Sequence, residues 1–267
     1  MKPARRSRTD ALSLLFAALG GALLLFIIAP LASLGLSCSL PELAETAIDS
    51  EVQASIWLTL WTSMAATVLF AIAGIPFAYF LARKDFPLKG LVSGIIDVPV
   101  VIPHVAAGIA LLTVLARGAA FGRAGHKMGV SFVGTSVGIM LAMAFVSVPF
   151  LINAAREGFE AVPERIEKAA LSLGASPLRV FLTVSVPMAA RPIVSGMIMM
   201  WARGMSEFGA VIIIAYNPMT APVLMFEQFG AYGLKSAQAV AVLFIAICLV
   251  FFVVLRLLAG GKRNAQR

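Results

Sequence analysis

The segment PERIEKAALSLGASPLRVFLTVSVP, residues Pro163–Pro187, is a long polar interruption in a chain that is otherwise mostly apolar. Pro163 suits the first turn of a helix, where its missing backbone N–H costs nothing. Glu164 and Glu167 follow near the positive end of the helix dipole, which favours acidic side chains. The segment therefore predicts a helix that begins at Pro163 and lies outside the apolar parts of the chain.

A glycine bend then divides this segment. Gly174 ends the first helix, because glycine readily adopts the left-handed backbone of a helix C-cap. Ser176 and Pro177 are typical of the N-cap and the first residue of a second helix, which runs to Pro187. The first helix carries an apolar stripe at helical spacing, formed by Val162, Ile166, Ala169, Ala170 and Leu173. Such a helix lies on a membrane surface or docks onto a partner, and the pattern leaves both alternatives open.

Composition indicates a membrane protein. Of the 267 residues, 60% are hydrophobic and 13% are charged, whereas about a quarter of the residues in soluble domains are charged. The net charge of +8 is assigned to basic residues at the cytoplasmic ends of spans rather than to nucleic-acid binding. Two cysteines and two histidines are too few and too scattered for a disulfide framework or a metal site. The sequence predicts an integral membrane protein that holds no metal.

Six apolar stretches are long enough to cross roughly 30 Å of hydrocarbon as helices. They lie at about residues 11–34, 55–82, 91–115, 132–154, 193–215 and 237–258. The expected fold is therefore all-α, with six transmembrane helices in a single domain that covers the whole chain. A polar loop, residues 156–191, joins the fourth and fifth spans.

Lysine and arginine predict the orientation of these spans, because they are enriched in cytoplasmic loops. Three basic residues lie between the second and third spans, and five lie in the polar loop. Eight more flank the first and last spans: Lys2, Arg5, Arg6, Arg8, Arg256, Lys262, Arg263 and Arg267. The sequence therefore predicts a multi-pass protein of the cytoplasmic membrane, with both termini and the polar loop in the cytoplasm.

Motifs for catalysis are missing from the sequence. There is no G-x-x-x-x-G-K-[ST] phosphate loop, so the chain is not expected to bind and hydrolyse ATP itself. There is also no H-E-x-x-H motif and no carboxylate cluster within the spans. We therefore predict no catalytic residue and no cofactor bound by this chain, and a membrane enzyme is disfavoured.

Three ionisable residues lie near the middle of predicted spans: His104, Arg203 and Glu207. Charge inside a membrane is costly and usually faces the bundle interior or a wet cavity. Arg203 and Glu207 are four residues apart, so they can pair on one helix. The pattern leaves open whether they form a structural pair or line a polar pathway, and for His104 it favours a structural role.

The third and fifth spans carry features typical of a pathway or a gate. Pro99 and Pro103 are four residues apart in the third span, so they remove backbone hydrogen bonds from one face and predict a kink. Ser206 belongs to a ridge of small residues in the fifth span, which allows close helix packing. Simple helix packing is the alternative interpretation of both features.

Spacing within the polar loop carries a resemblance. Lys168-Ala169-Ala170 is followed by three residues, Gly174, nine residues and then Val184-Ser185-Val186-Pro187. This resembles the signature loop of ABC-importer permeases: E-A-A, three residues, Gly, nine residues and I-x-L-P. Lys168 stands where the family has Glu, and Glu167 lies one place earlier. Docking of this loop is therefore expected to depend on shape and small residues more than on that charge.

Three further runs extend the resemblance over nearly the whole chain. They are DVPVVIPHVAAGIAL at Asp97–Leu111, SPLRVFLTVS at Ser176–Ser185 and WARGMSEFGAVIIIAYNPMTAP at Trp201–Pro222. With the six-span layout, they look like the archaeal-type molybdate/tungstate permeases. Sulfate permeases share much of this scheme, so sulfate stays an alternative substrate.

The resemblance implies a type I ABC-importer permease that works in a larger assembly. Two copies would form the membrane path, two cytoplasmic ATPase subunits would bind ATP and Mg, and an extracytoplasmic solute-binding protein would deliver the oxyanion. The helix before Gly174 would be the coupling helix that docks onto the ATPase. An ATP-independent, ion-coupled transporter is a further alternative, but it predicts an inverted repeat that the sequence does not display.

Overall fold

The computed structural model describes residues 11–260, without the side chains of residues 11, 256 and 258–260. Of the eight basic residues that flank the first and last spans, seven lie outside the described residues, and the side chain of the eighth, Arg256, does too; the seven are Lys2, Arg5, Arg6, Arg8, Lys262, Arg263 and Arg267. Throughout the described part all regular structure is helical, which confirms the all-α prediction.

The described residues form α-helices of very different lengths and one π-helical segment, Phe181–Ser185. The α-helices are α1 Ala11–Leu36, α2 Leu40–Ile48, α3 Ser50–Arg83, α4 Lys89–Val101, α5 His104–Leu115, α6 Ala120–Lys127, α7 Ser136–Glu160, α8 Glu164–Ser172, α9 Pro177–Val180, α10 Val186–Met188, α11 Ala190–Met205, α12 Gly209–Ile214, α13 Ala221–Tyr232 and α14 Leu234–Gly260.

Four to six membrane spans are consistent with these lengths. Within α1, α3, α7 and α14, four single helices are long and apolar enough to cross a membrane: Leu12–Leu36, Ser50–Arg83, Ser136–Glu160 and Leu234–Leu255. Two bent pairs pass the same test only when each pair is taken as one span. The first is α4 with α5, and the second is Pro177–Met188 with α11.

The first break, Ile102–Pro103, separates α4 from α5, and the two helices are bent by 112°. Ile102 is extended, with φ −72° and ψ 148°. Its conformation follows from the proline after it, because a proline disfavours the helical region for the preceding residue. The kink predicted from Pro99 and Pro103 is confirmed, and the backbone reverses there much more sharply than a simple kink.

The second break, Ser206–Phe208, separates α11 from α12. The sequence predicts one span over residues 193–215, whereas the structure divides this stretch into two helices. The Glu207 side chain explains the division, because its Oε1 accepts a hydrogen bond of 2.8 Å from the backbone N–H of Ala210. That bond satisfies a free N–H at the start of α12, as an N-terminal cap does.

Helix α7 lies at the centre of the bundle and packs against α3 and α11. Its buried side chains include Ile139, Met143 and Leu151. Contact with α11 is very close at Gly196, where an added Cβ would lie 2.8 Å from the Cβ of Ala154. Burial of this apolar surface holds α3, α7 and α11 together as one unit.

Helix α3 buries a stripe of hydroxyl side chains against its neighbours. The stripe consists of Ser55, Thr59, Thr62, Ser63 and Thr67. Each hydroxyl donates to a carbonyl in the preceding turn over 2.6–2.8 Å. Every hydroxyl of the stripe is thus hydrogen-bonded within its own helix, which lowers the free-energy cost of burying it.

Candidate functional site

The polar loop folds as the sequence predicts around Gly174. This glycine has φ +86°, in the left-handed region. Its N–H donates to the carbonyl of Leu171 over 2.9 Å, and the N–H of Ala175 donates to that of Ala170 over 3.2 Å. The pair of bonds is a Schellman motif, which satisfies the last carbonyls of α8. The predicted C-cap is therefore confirmed.

The second helix of the polar loop is less regular than predicted. Ser176 accepts a hydrogen bond from the N–H of Arg179, and Pro177 is the first residue of α9, as expected. Beyond Val180 the backbone passes through the π-helical segment before α10. Pro187 accounts for this irregularity, because it has no N–H and its ring clashes with the carbonyl four residues earlier in an α-helix.

Much of the polar loop surface is exposed and apolar. Its exposed large apolar side chains are Ile166, Leu171, Leu173, Leu178, Leu182 and Met188. Glu164 and Lys168 are exposed as well and pair with each other over 2.7 Å. Ala169 and Pro187 are exposed, and Ala170 is half-buried. The predicted apolar stripe thus faces away from the bundle, apart from buried Val162.

Glu167 is the exception, because it is buried against the bundle. Its two carboxylate oxygens accept from Nε and Nη2 of Arg83, over 2.8 and 2.9 Å. Ser185 Oγ donates to Oε1 over 2.7 Å, and the hydroxyl of Tyr79 donates to Oε2 over 3.3 Å. Burial disfavours the charged form, but the hydrogen bonds from Arg83 and Ser185 hold the pKa of Glu167 below its usual value.

This Glu167 cluster (Tyr79, Arg83, Glu167 and Ser185) was missed by the sequence analysis. In the sequence, Arg83 is only one of three basic residues between the second and third predicted spans. The spacing of Tyr79 and Arg83, one helical turn apart at the end of α3, is the signal that could have indicated a shared partner.

The two helix breaks meet at a second polar cluster. Nη2 of Arg203 and Nδ1 of His104 lie 2.9 and 2.7 Å from the same Oε2 of Glu207. Nη1 of Arg203 donates to Oγ of Ser206 over 3.3 Å. The Glu207 side chain is 1% exposed, against 24% for Arg203 and 36% for His104. The structure thus brings the three predicted ionisable residues together around one buried carboxylate.

Glycines allow α5 and α12 to approach each other beside this break cluster (His104, Arg203, Ser206 and Glu207). A Cβ on Gly209 would lie 2.7 Å from the Cβ of His104. A Cβ on Gly108 would lie 2.8 Å from the Cβ of Ile213. Real Cβ atoms are not found at such distances, so these positions require glycine in the present packing.

Helix α4, the first half of the bent pair α4–α5, is held by polar contacts that the sequence pattern also does not predict. Nδ2 of Asn153 in α7 donates to Oδ1 of Asp97 in α4 over 2.7 Å. One turn away, Nη1 of Arg156 donates to Oγ of Ser93 over 3.1 Å. Pro99 is buried in α4, whereas Pro103 is exposed at the first break.

Nothing in these clusters resembles a metal site. Among residues 11–260, no group of three or more His, Cys, Asp or Glu side chains is placed to hold an ion.

Residues 74–264 match the family model of the binding-protein-dependent transport system inner membrane component. The chain belongs to this family. Over 257 residues the permease is 44% identical to the molybdate/tungstate transport system permease protein WtpB of Thermococcus kodakarensis. That match covers 96% of the permease and 99% of its relative. The WtpB protein of Pyrococcus abyssi is also 44% identical, over 94% of the permease and 96% of that protein.

A solved structure has the same fold. It belongs to a bacterial ABC transporter involved in the import of the acidic polysaccharide alginate. The TM-score is 0.73 at 14% sequence identity, and the match covers 94% of the permease and 96% of that chain. The permease is therefore a multi-pass subunit of a binding-protein-dependent ABC transport system, as the signature loop predicts. The relatives' names confirm a permease subunit rather than an enzyme.

Proposed function

We propose that the permease forms the membrane path of an ATP-driven importer for molybdate and tungstate. Its identity of 44% to a molybdate/tungstate permease, over 96% of the chain, is the observation that carries this substrate assignment. The break cluster is compatible with an oxyanion path of low affinity, because its basic groups are balanced by Glu207 and form no closed anion cage.

The assembly we propose has two copies of the permease, two cytoplasmic ATPase subunits and one extracytoplasmic solute-binding protein. The permease would lie in the cytoplasmic membrane with six spans, of which α11 with α12, rather than Pro177–Met188 with α11, would form the fifth, and both its termini and the polar loop would be in the cytoplasm. ATP and Mg would bind to the ATPase subunits, and no cofactor would bind to the permease. Helix α1 supports this location, because every side chain from residue 12 to residue 33 is exposed and the helix is apolar on all sides, as expected of a helix surrounded by lipid.

In this proposal the polar loop is the coupling loop, and α8 docks into a cleft of the ATPase. The exposed leucines on both sides of the bend at Gly174 support such a contact, since exposed contiguous apolar surface marks interaction sites. The small residues of the signature, Ala169 and Ala170, would let the partner approach the α8 backbone closely. Glu164, Lys168, Ser176, Pro177 and Pro187 would shape the same docking surface.

Closure of the ATPase dimer would draw the two coupling loops together and favour the outward-facing state of the spans. ATP hydrolysis would restore the inward-facing state, so transport is a population shift driven by different contacts in the two states. The gate would lie where the two helix breaks meet. Its residues would be Pro99, Pro103, His104, Arg203, Ser206 and Glu207.

Uptake by the reconstituted system tests this function. The permease is placed in liposomes with the ATPase subunit and the solute-binding protein of its importer, and labelled molybdate or tungstate is supplied outside. We expect uptake that requires ATP inside and the binding protein outside, and that excess sulfate does not inhibit. Uptake without the ATPase would refute an ABC mechanism. Preferential uptake of sulfate would refute the substrate assignment alone.

A further inference from the structure

A buried carboxylate, that of Glu167, attaches the coupling loop to the bundle. Glu167 is the one buried residue of α8, and its carboxylate points towards α3 rather than towards the cytoplasmic partner proposed above. The exposed leucines of the coupling loop lie on other faces. Glu167 is therefore not part of the docking surface, and its bonds have a different purpose.

Those bonds connect three separate elements. Arg83 reaches Glu167 from the last turn of α3, and its Nη2 also donates to the carbonyl of Val162, ahead of α8, over 3.0 Å. Ser185 reaches the same carboxylate from the π-helical segment on the other side of the bend. One carboxylate thus ties both halves of the coupling loop to the end of α3.

Packing around the cluster makes the connection stiff. The ring of Tyr79 contacts those of Phe159 in α7 and Phe181 in the coupling loop, with centroids 5.2 and 5.0 Å apart. The guanidinium of Arg83 lies 5.7 Å from the centroid of the Tyr79 ring. Arginine in a two-point contact with a carboxylate, stacked on an aromatic face, has little freedom to rotate.

We propose that Glu167 and Arg83 form a positioning pair that carries displacement of the coupling helix to α3. Glu167 links α8 to the bundle, so a pull on α8 by the ATPase is applied to the end of α3 through this pair. Without the pair, α8 would still dock onto the ATPase, but its displacement would reach α3 only indirectly, through the chain connections to α7 and α11. This inference rests on the proposed function and adds a role for a carboxylate that faces away from the partner.

The test measures coupling and docking separately in the reconstituted complex with molybdate as the substrate. The variants are Glu167→Gln, Arg83→Gln and the double variant, and each sample is assayed for co-purified ATPase, ATP hydrolysis and uptake. We expect the ATPase to co-purify with all three. We expect the ratio of molybdate taken up to ATP hydrolysed to fall roughly 5- to 150-fold, the range of typical coupling energies. The ratio in the double variant should be no lower than in the more affected single variant, because each substitution removes the same interaction between Glu167 and Arg83.

Asp85→Asn is the matched control. Asp85 lies two residues from Arg83 and also pairs with a basic residue, Lys89, but its side chain is 99% exposed. We expect this variant to keep the wild-type ratio. Arg83→Lys is a milder variant, which keeps the charge and loses the two-point contact. It should lower the ratio less than Glu167→Gln does, and it keeps the test decisive if Glu167→Gln fails to fold.

Three results would overturn the positioning pair. The first is a wild-type ratio of molybdate taken up to ATP hydrolysed in Glu167→Gln or in Arg83→Lys. The second is loss of ATPase co-purification as the sole defect. The third is a decrease of this ratio in the double variant that equals the decreases of the two single variants combined. A wild-type complex that takes up neither molybdate nor tungstate would instead refute the proposed function, and the positioning role with it.

Discussion

Replacement of Glu207 by leucine is predicted to destabilise the permease strongly. The substitution removes the acceptor for Arg203 and His104, at 2.9 and 2.7 Å, and leaves the N–H of Ala210 without its bond of 2.8 Å. An unsatisfied buried N–H costs about 1–3 kcal/mol, and removal of one partner of a buried ion pair costs about 3–5 kcal/mol. Water reaches part of the Arg203 side chain and partly solvates its charge, so we expect a total loss of about 4 kcal/mol in the free energy of unfolding.

The double variant Glu207→Leu/Arg203→Leu is predicted to be more stable than Glu207→Leu alone. Its second change removes the stranded guanidinium, so about 2 kcal/mol of the loss remains, mainly from the N–H of Ala210. The measurement is the midpoint temperature of unfolding for the purified permease in detergent. A loss of 4 kcal/mol corresponds to a decrease on the order of 10 °C in a chain of this size.

Asp85→Asn serves as the control for loss of a carboxylate, since its side chain is almost fully exposed. We expect its midpoint to stay within about 2 °C of the wild type, because exposed pairs contribute little. A midpoint for Glu207→Leu in the same narrow range would refute the view that Glu207 holds the breaks together. A loss of stability in the double variant that equals the summed losses of Glu207→Leu and Arg203→Leu, each measured alone, would show that Arg203 and Glu207 act independently.

Three further predictions concern the bend at Gly174, the helix crossing at Gly209 and the pair of Glu42 and Lys235. Gly174→Val forces a β-branched residue to φ +86°, so transport and substrate-stimulated, vanadate-sensitive ATPase activity should fall while membrane insertion is kept. Gly209→Ala places a Cβ 2.7 Å from that of His104, and overpacking should lower the free energy of unfolding by about 1–3 kcal/mol. Lys235, which lies 2.8 Å from Glu42, and the hydrogen bonds with Ser39 together lower the pKa of the Glu42 carboxyl to about 2 from 4.5, with Lys235 as the largest cause. The pair's contribution is complete above pH 4.5 and is lost as the pH falls towards 2, and Lys235→Met should move the Glu42 titration seen by carbon NMR back towards 4.5.

Local rules were enough to predict the features that depend on neighbouring residues. Gly174 ends α8 because its own backbone conformation suits glycine, and Pro103 breaks the third span because its ring restricts the residue before it. The pair of Arg203 and Glu207 follows from helical spacing, and it survives although the helix ends between them. In each case the decisive contact spans at most four residues of sequence.

Features that depend on distant residues could not be read from the pattern. Glu167 and Arg83 are 84 residues apart, and His104 and Glu207 are 103 apart. Without those partners, Glu167 looked like a displaced signature carboxylate whose charge mattered little for docking. The structure instead buries its carboxylate against the bundle, where four hydrogen bonds attach α8 to α3 and to the π-helical segment.

The two buried carboxylates lie near opposite ends of one helix. Helix α11 begins at Ala190, five residues after the Ser185 that bonds Glu167, and it ends one residue before the second break. Its 16 residues rise about 24 Å. Close packing against α7 at Gly196 leaves no room for α11 to slide independently. In the proposed mechanism, a displacement of the coupling loop would therefore reach the break cluster through the unit that α3, α7 and α11 form, with the Glu167–Arg83 pair as its attachment to α3.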